Sequence, residues 1–177
     1  MANKVTAYLA LGSNIDDRLA FLVKAETMLR THPEIELLKT SKIYETEPWP
    51  RNELPNNHPH EEEGQKWFLN QVVEIKTPLS PQKLADVIAI IEQKIGRIKR
   101  EHWGAREIDI DILLYGGQII DTPDLHIPHR HMQDRQFVLV PLVEIAPELK
   151  DPLTGRKFSK ILEEVKKEDN HKVTPFL

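Results

Sequence analysis

The chain has 177 residues and 40% hydrophobic content, enough for one domain with a real core but hardly for a second catalytic one. It has no cysteine, which excludes a disulfide framework, a thiolate metal site and a cysteine nucleophile. A formal net charge of −4 argues against general nucleic-acid binding, and no apolar run reaches signal-peptide or membrane-span length, so a cytoplasmic protein without nucleic-acid or membrane partners is expected.

Val5 to Leu11 reads as a strand ending at Gly12. Asn14 or Asp16 then offers a helix cap, and Leu19, Leu22, Ala25 and Leu29 supply a helical stripe. A second strand is predicted within residues 35–46 and a third over 67–77, rich in Phe, Val and Ile. Between them, residues 47–66 carry four prolines, three asparagines and two histidines, a composition that predicts a long mobile loop. Ser80-Pro81 opens a helix whose Leu84, Val87, Ile88, Ile91 and Ile95 share one face until Gly96 stops it. After a strand from Ile108 to Tyr115, Gly116-Gly117 is expected to turn the chain into a hairpin with "QIID". Arg135 to Ile145 and Phe158 to Val165 read as helices. The mixture predicts an α+β sandwich, a mainly antiparallel sheet with helices packed on it and long loops, as one domain over 1–166 with a C-terminal tail over 167–177.

The strand "IDIDILLY" raises a chemical question. Strand side chains alternate, so Ile108, Ile110, Ile112 and Leu114 are predicted on one face and Asp109, Asp111, Leu113 and Tyr115 on the other. Two carboxylates side by side next to a core need a cation, a hydrogen-bond network or open water, and removing either should relieve repulsion in the metal-free protein. Just upstream, "GRIKREHWGAR" places Arg97, Lys99, Arg100 and Arg106, with His102, around Trp103. Each feature alone has a plain explanation, a solvated basic face or a solvent-facing sheet edge. A polyphosphate carried with Mg²⁺ satisfies both at once, since Mg²⁺ takes one or two carboxylates plus phosphate oxygens, and arginine forks take the remaining charge.

Downstream, "DLHIPHRHMQDRQF" holds His126, His129 and His131. Their loose spacing and the lack of a clear fourth ligand disfavour zinc, whereas a histidine with Arg130 and Arg135 extends a phosphate site.

"LGSN" after the first strand, "FLN" in the third, "WGAREIDIDIL", the Pro-His at 128–129 and the Arg-x-Phe at 135–137 together resemble the 6-hydroxymethyl-7,8-dihydropterin pyrophosphokinase family of folate biosynthesis, from Ala7 to about Leu162. The resemblance implies a ferredoxin-like sandwich and transfer of pyrophosphate from ATP, the co-substrate, to the pterin hydroxymethyl group with release of AMP. It implies two Mg²⁺ ions on Asp109 and Asp111, with Arg97 and Arg106 as catalytic cations and a monomeric enzyme. Glu92, Lys99, Arg100, Arg106, His129, Arg130 and Arg135 would serve the nucleotide, Lys99 and Arg100 being alternatives for one phosphate contact. Thr46, Trp49, Phe68, Asn70, Trp103 and Phe137 would serve the pterin, stacked between Phe68 and Phe137. Arg130 and His126 depart from the family's usual Tyr and Thr, and no side chain stands out as general base. Two other classes stay open: a Mg²⁺-dependent kinase or nucleotidyltransferase, although no G-x-x-x-x-G-K-[ST] loop occurs, and a silent nucleotide- or RNA-binding module using Arg97, Arg100 and Trp103.

Overall fold

A computed structural model describes residues 3–47, 67–98 and 106–177. Strand β1 (Val5–Ser13) runs through the middle of the sheet, with β4 (Phe68–Thr77) and β5 (Asp109–Tyr115) antiparallel on either side. Between β1 and β4 the described residues form helix α1 (Arg18–Thr31), β2 (Glu36–Thr40) and β3 (Tyr44–Thr46); helix α2 (Pro81–Ile95) lies between β4 and β5 in the chain. The strand order β5-β1-β4-β3-β8, with β2 also on β4 and β8 being Val173–Pro175, is the split β-α-β-β-α-β arrangement of ferredoxin-like folds extended by one edge strand. The rest of the chain gives a small pair β6 (Ile120–Asp121) and β7 (His126–Ile127), then α3 (Gln136–Ile145) and α4 (Phe158–Glu168).

Both faces of the sheet are covered. Leu22, Ala25 and Leu29 of α1 and Leu84, Ile88 and Ile91 of α2 bury against Leu9, Leu11, Val73 and Ile75. On the opposite face α3 and α4 bring Val138, Leu139, Leu142 and Phe158 against Tyr8, Val72 and Leu113. Alternation along β1 therefore sends Leu9 and Leu11 to one layer while Tyr8, Ala10 and Gly12 turn to the other. Towards the Gly12 end that second layer stops, and the cleft described below opens there.

Local sequence accounts for both ends of α2 and for the start of α1. The Ser80 side chain caps α2 by accepting from Lys83 N, Pro81 occupies its first turn, and Gly96, at φ 108°, ends it in the left-handed conformation that a β-carbon disfavours. The cap of α1 is Asp17, which accepts from Ala20 N at 3.1 Å, rather than Asn14 or Asp16.

Four further expectations are corrected. The strand predicted within 35–46 is two, β2 and β3, which both pair with β4. The turn after β5 does not return the chain onto β5, because Ile120 and Asp121 pair with Ile127 and His126. A bulge in the β1–β5 ladder sets Tyr8 opposite Leu114 but Leu9 opposite Ile112, so one extra residue resets the alternation. Leu114 consequently packs with α3 and α4, and Tyr115 joins the isoleucine face. Residues 167–177, expected as a C-terminal tail, finish α4 and then add β8 alongside β3. The loop predicted over 47–66 lies outside the described residues, except Glu47.

Candidate active site

Three strands make the floor. Across the ladder Asp109 faces Gly12, which faces Asn70; one pleat along, Asp111 faces Ala10. The two carboxylates thus stand beside the smallest side chains of β1, and space is left above them. A β-carbon on Gly12 would come within 2.9 Å of Asn70 Oδ1, so glycine lets the amide lie flat across the strand. Asn70 Nδ2 donates to Thr46 Oγ1 at 2.6 Å, fixing the amide's orientation. A cavity of about 140 Å³ rises from this floor, with Asp109, Asp111, Arg106 and His129 at one end and Thr46, Phe68, Asn70 and Phe137 lining it too. Arg135 also lines it, its guanidinium 5.7 Å from the centre of the Phe137 ring.

The two aspartates, equivalent in sequence, sit in different electrostatic settings. Arg97 and Arg106 ion-pair with separate oxygens of Asp109, at 3.0 and 2.6 Å. Asp111 makes no ion pair with an arginine or lysine within 4 Å among the described residues; His129 Nε2 lies 3.9 Å from it, too long for a hydrogen bond, and the charges of Arg135 and Arg106 act on it from farther away. Burial, then the charges of Asp109 and Glu92, push the Asp111 carboxyl up to about 7. His129 is moved the other way: burial first, then nearby Arg135, lower it to about 4, so the ring is neutral at pH 7. The backbone N–H of His131 donates to His129 Nδ1 at 3.3 Å, which leaves the ring proton on Nε2, facing Asp111.

The open edge of β5 is satisfied by site residues. Glu92, in the last turn of α2, accepts from Ile110 N at 2.7 Å and ion-pairs with Arg97 at 2.6 Å; burial raises its pKa despite both partners. The backbone N–H of His129 donates to Leu113 O, so the histidine loop is laced to the same edge. Asn14 receives the N–H of Arg106 on Oδ1 at 2.7 Å and donates its own N–H to Arg106 O at 3.1 Å. Glu107 accepts from Ile98 N at 3.4 Å. Arg97 and Arg106, nine residues apart, are held around one carboxylate.

A sequence model of the 7,8-dihydro-6-hydroxymethylpterin-pyrophosphokinase family matches residues 8–147. The chain belongs to this family. A 2-amino-4-hydroxy-6-hydroxymethyldihydropteridine pyrophosphokinase of Methylorubrum extorquens is 43% identical over 143 residues, 81% of this chain and 84% of that protein. Enzymes of the same name from Bacillus subtilis and Aquifex aeolicus are each 41% identical, over 84% and 94% of this chain and 83% and 94% of theirs. Among solved structures, a Plasmodium falciparum HPPK-DHPS protein with pteroate matches with a TM-score of 0.71 at 18% identity, a likeness of fold. It covers 92% of this chain, which spans only 42% of that longer one.

The family's expected positions gather unevenly. Thr46, Phe68, Asn70, Arg106, Asp109, Asp111, His129, Arg135 and Phe137 all line the one cavity, and Arg97 reaches it through Asp109. Glu92, expected at a ribose, is buried and committed to Ile110 and Arg97. Arg130 turns away to Asp121 at 3.3 Å with 60% of its side chain exposed, and His126 bonds the same carboxylate at 2.7 Å. No group of three or more His, Asp or Glu side chains placed to hold a metal ion occurs among the described residues. Trp49, Lys99, Arg100 and Trp103 lie outside the described residues. Glu47 and Gln71 also line the cavity, and Gln71, the residue after the "FLN" motif, was readable only from its place on the strand.

Proposed function

We propose that this chain transfers the β,γ-pyrophosphoryl group of ATP to the hydroxymethyl oxygen of 6-hydroxymethyl-7,8-dihydropterin and releases AMP, as a monomer in the cytoplasm, with two Mg²⁺ ions at Asp109 and Asp111. The observation that carries the reading is the joining, in one cavity, of a carboxylate pair flanked by arginines with two aromatic rings and a fixed amide. No helix among the described residues is long and apolar enough to cross a membrane.

The donor set suits Mg²⁺. Asp109 and Asp111 offer hard oxygens one pleat apart, and two carboxylates without a closed cage is the number Mg²⁺ takes when phosphate and water oxygens complete its shell. When bound, the ions would neutralise the charge that develops as the bridge between the α- and β-phosphates breaks.

The chain's own groups do the positioning. Phe68 and Phe137 offer faces for the flat pterin, and the Asn70 amide, oriented by Thr46, offers donor and acceptor to its edge. Arg97 and Arg106, now paired with Asp109, are suited to non-bridging phosphate oxygens beside the carboxylates. Neutral His129 carries its proton on Nε2, so it donates to a phosphate oxygen there and cannot accept the hydroxyl proton at that atom. Arg135 adds a further guanidinium near the rings. The pterin hydroxyl oxygen attacks the β-phosphorus in line, the Pα–O–Pβ bridge breaks, AMP carries away the bridging oxygen, and the hydroxyl proton leaves to solvent. Glu92 acts at a distance, by holding Arg97 and the backbone between the two aspartates. Lys99, Arg100, Trp49, Trp103 and Arg130 belong to the same proposal through the family likeness alone.

The test is to incubate the protein with Mg²⁺, ATP and 6-hydroxymethyl-7,8-dihydropterin and separate the products by ion-exchange chromatography. AMP and a pterin pyrophosphate in equal amounts are expected. ADP would mean an ordinary kinase, and the absence of any pterin-dependent nucleotide would overturn the proposal.

A further inference from the structure

We infer that residues 169–177 form a strap that positions the pterin-binding wall of the cavity, with His171 as its positioning residue; this rests on the reading of the cavity just given. His171 is buried at 9% exposure, and its Nε2 lies 2.8 Å from the carbonyl oxygen of Glu47. A carbonyl only accepts, so Nε2 carries the proton and donates. The same ring lies 6.1 Å from the Phe137 ring, tilted by 44°. One imidazole therefore joins two walls, the strand end at Thr46–Glu47 and the aromatic face of Phe137, which both line the cavity.

The segment is tied down on either side of His171. Before it, Asp169 Oδ1 accepts from His171 N at 3.1 Å, and Asp169 O accepts from the buried Gln136 side chain at 2.6 Å, next to Phe137. After it, Val173 pairs with Thr46 in the β8–β3 ladder, and the N–H of Phe176 donates to Ile43 O. The Phe176 ring lies 5.8 Å from the guanidinium of Arg18, which donates to Trp67 O at 2.6 Å and ion-pairs with Glu45 at 2.9 Å. The strap thus supports Glu47 directly and Trp67 through Arg18, beside the two pterin-facing residues Thr46 and Phe68. Asp109, Asp111 and Arg97 belong to β5 and the end of α2, across the floor from this support. Loosening the strap should accordingly weaken pterin binding and spare the nucleotide.

The experiment is calorimetric titration of wild type, His171→Ala and His171→Gln with 6-hydroxymethyl-7,8-dihydropterin and, separately, with Mg²⁺ and a non-hydrolysable ATP analogue, beside hydrogen exchange of the free proteins. His171→Ala should weaken pterin binding about tenfold, the scale of deleting one hydrogen bond and one tilted ring pair, with nucleotide affinity within about twofold. His171→Gln, which keeps an N–H donor, should recover part of that loss. Exchange should quicken at residues 44–47 and 136–139. Equal losses for both ligands, or unchanged pterin affinity in a folded variant, would overturn the strap. If His171→Ala does not fold, His171→Gln decides by the same two ratios. Wild type that makes no AMP would instead fault the proposed reaction, while the exchange comparison would still test the strap.

Discussion

Asp109 and Asp111 should respond in opposite directions when neutralised in metal-free protein. Asp111 lacks a hydrogen-bonded cation among the described residues, and its carboxyl is raised from 3.8 to about 7, first by burial and then by its acidic neighbours. Below the unfolded value of 3.8 both folded and unfolded chains hold the proton, and the group is neutral to stability. Between there and about 7 the folded state alone keeps it, so the unfolding free energy falls as pH rises, and the loss is complete above the folded value. A shift of that size would be worth about 4 kcal/mol in an unscreened site. Water reaches 42% of the side chain, so about 1–2 kcal/mol is the working figure after screening. Asp111→Asn should therefore raise the melting temperature of chelator-treated protein by about 3–6 °C at pH 8 and by almost nothing at pH 4. Asp109→Asn instead removes the negative charge that Arg97 and Arg106 meet at 3.0 and 2.6 Å, and should lower it. Differential scanning calorimetry from pH 4 to 8 is the assay. Shifts of the same sign for both variants, or an Asp111→Asn gain that does not grow with pH, would refute the reasoning.

Either carboxylate changed to Ala should abolish nearly all AMP formation at saturating substrates, checked by the product assay, since each removes half of the donor pair. Gly12→Ala should push Asn70 Oδ1 from its 2.9 Å approach and weaken pterin binding by about 1–2 kcal/mol through overpacking, with nucleotide affinity unchanged in calorimetry. Phe137→Ala should weaken pterin binding by about 1–3 kcal/mol, the scale of base–aromatic stacking; an equal loss of ATP affinity would mean that the two substrates do not divide the cavity. Glu92→Gln keeps an acceptor for Ile110 N but loses the charge facing Arg97, so kcat should fall by more than either KM rises.

Where local chemistry decides the structure, it could be read directly. Ser80, Pro81 and Gly96 bound α2 as their backbone preferences require, and the pleat alone put Asp109 and Asp111 on one face. The failures are non-local. The bulge that exchanges the faces of Leu114 and Tyr115 arises from register against β1, which alternation within one strand cannot reveal. Ile120 and Asp121 pair with β7, a choice made by the fold after the turn rather than by Gly116-Gly117. Residues 167–177, expected as a C-terminal tail, are bound by backbone pairing with β3 and by the buried ring of His171, partners that local sequence does not name.

The same distinction explains why two carboxylates one pleat apart are not interchangeable. Spacing makes them neighbours, but what each meets is set by elements distant in sequence. The end of α2 delivers Arg97, and the Asn14 clamp delivers Arg106, both onto Asp109. The loop after β7 brings a neutral imidazole toward Asp111. Asp109 is thereby already compensated without a ligand, while Asp111 makes no hydrogen bond to a cation among the described residues and is held protonated to higher pH. A cation arriving with phosphates gains most at Asp111, and the phosphates gain the arginines that Asp109 holds ready. In the proposed reaction the repulsion between the two would thus be divided between a carboxylate that orders the basic side chains and one left to draw the metal.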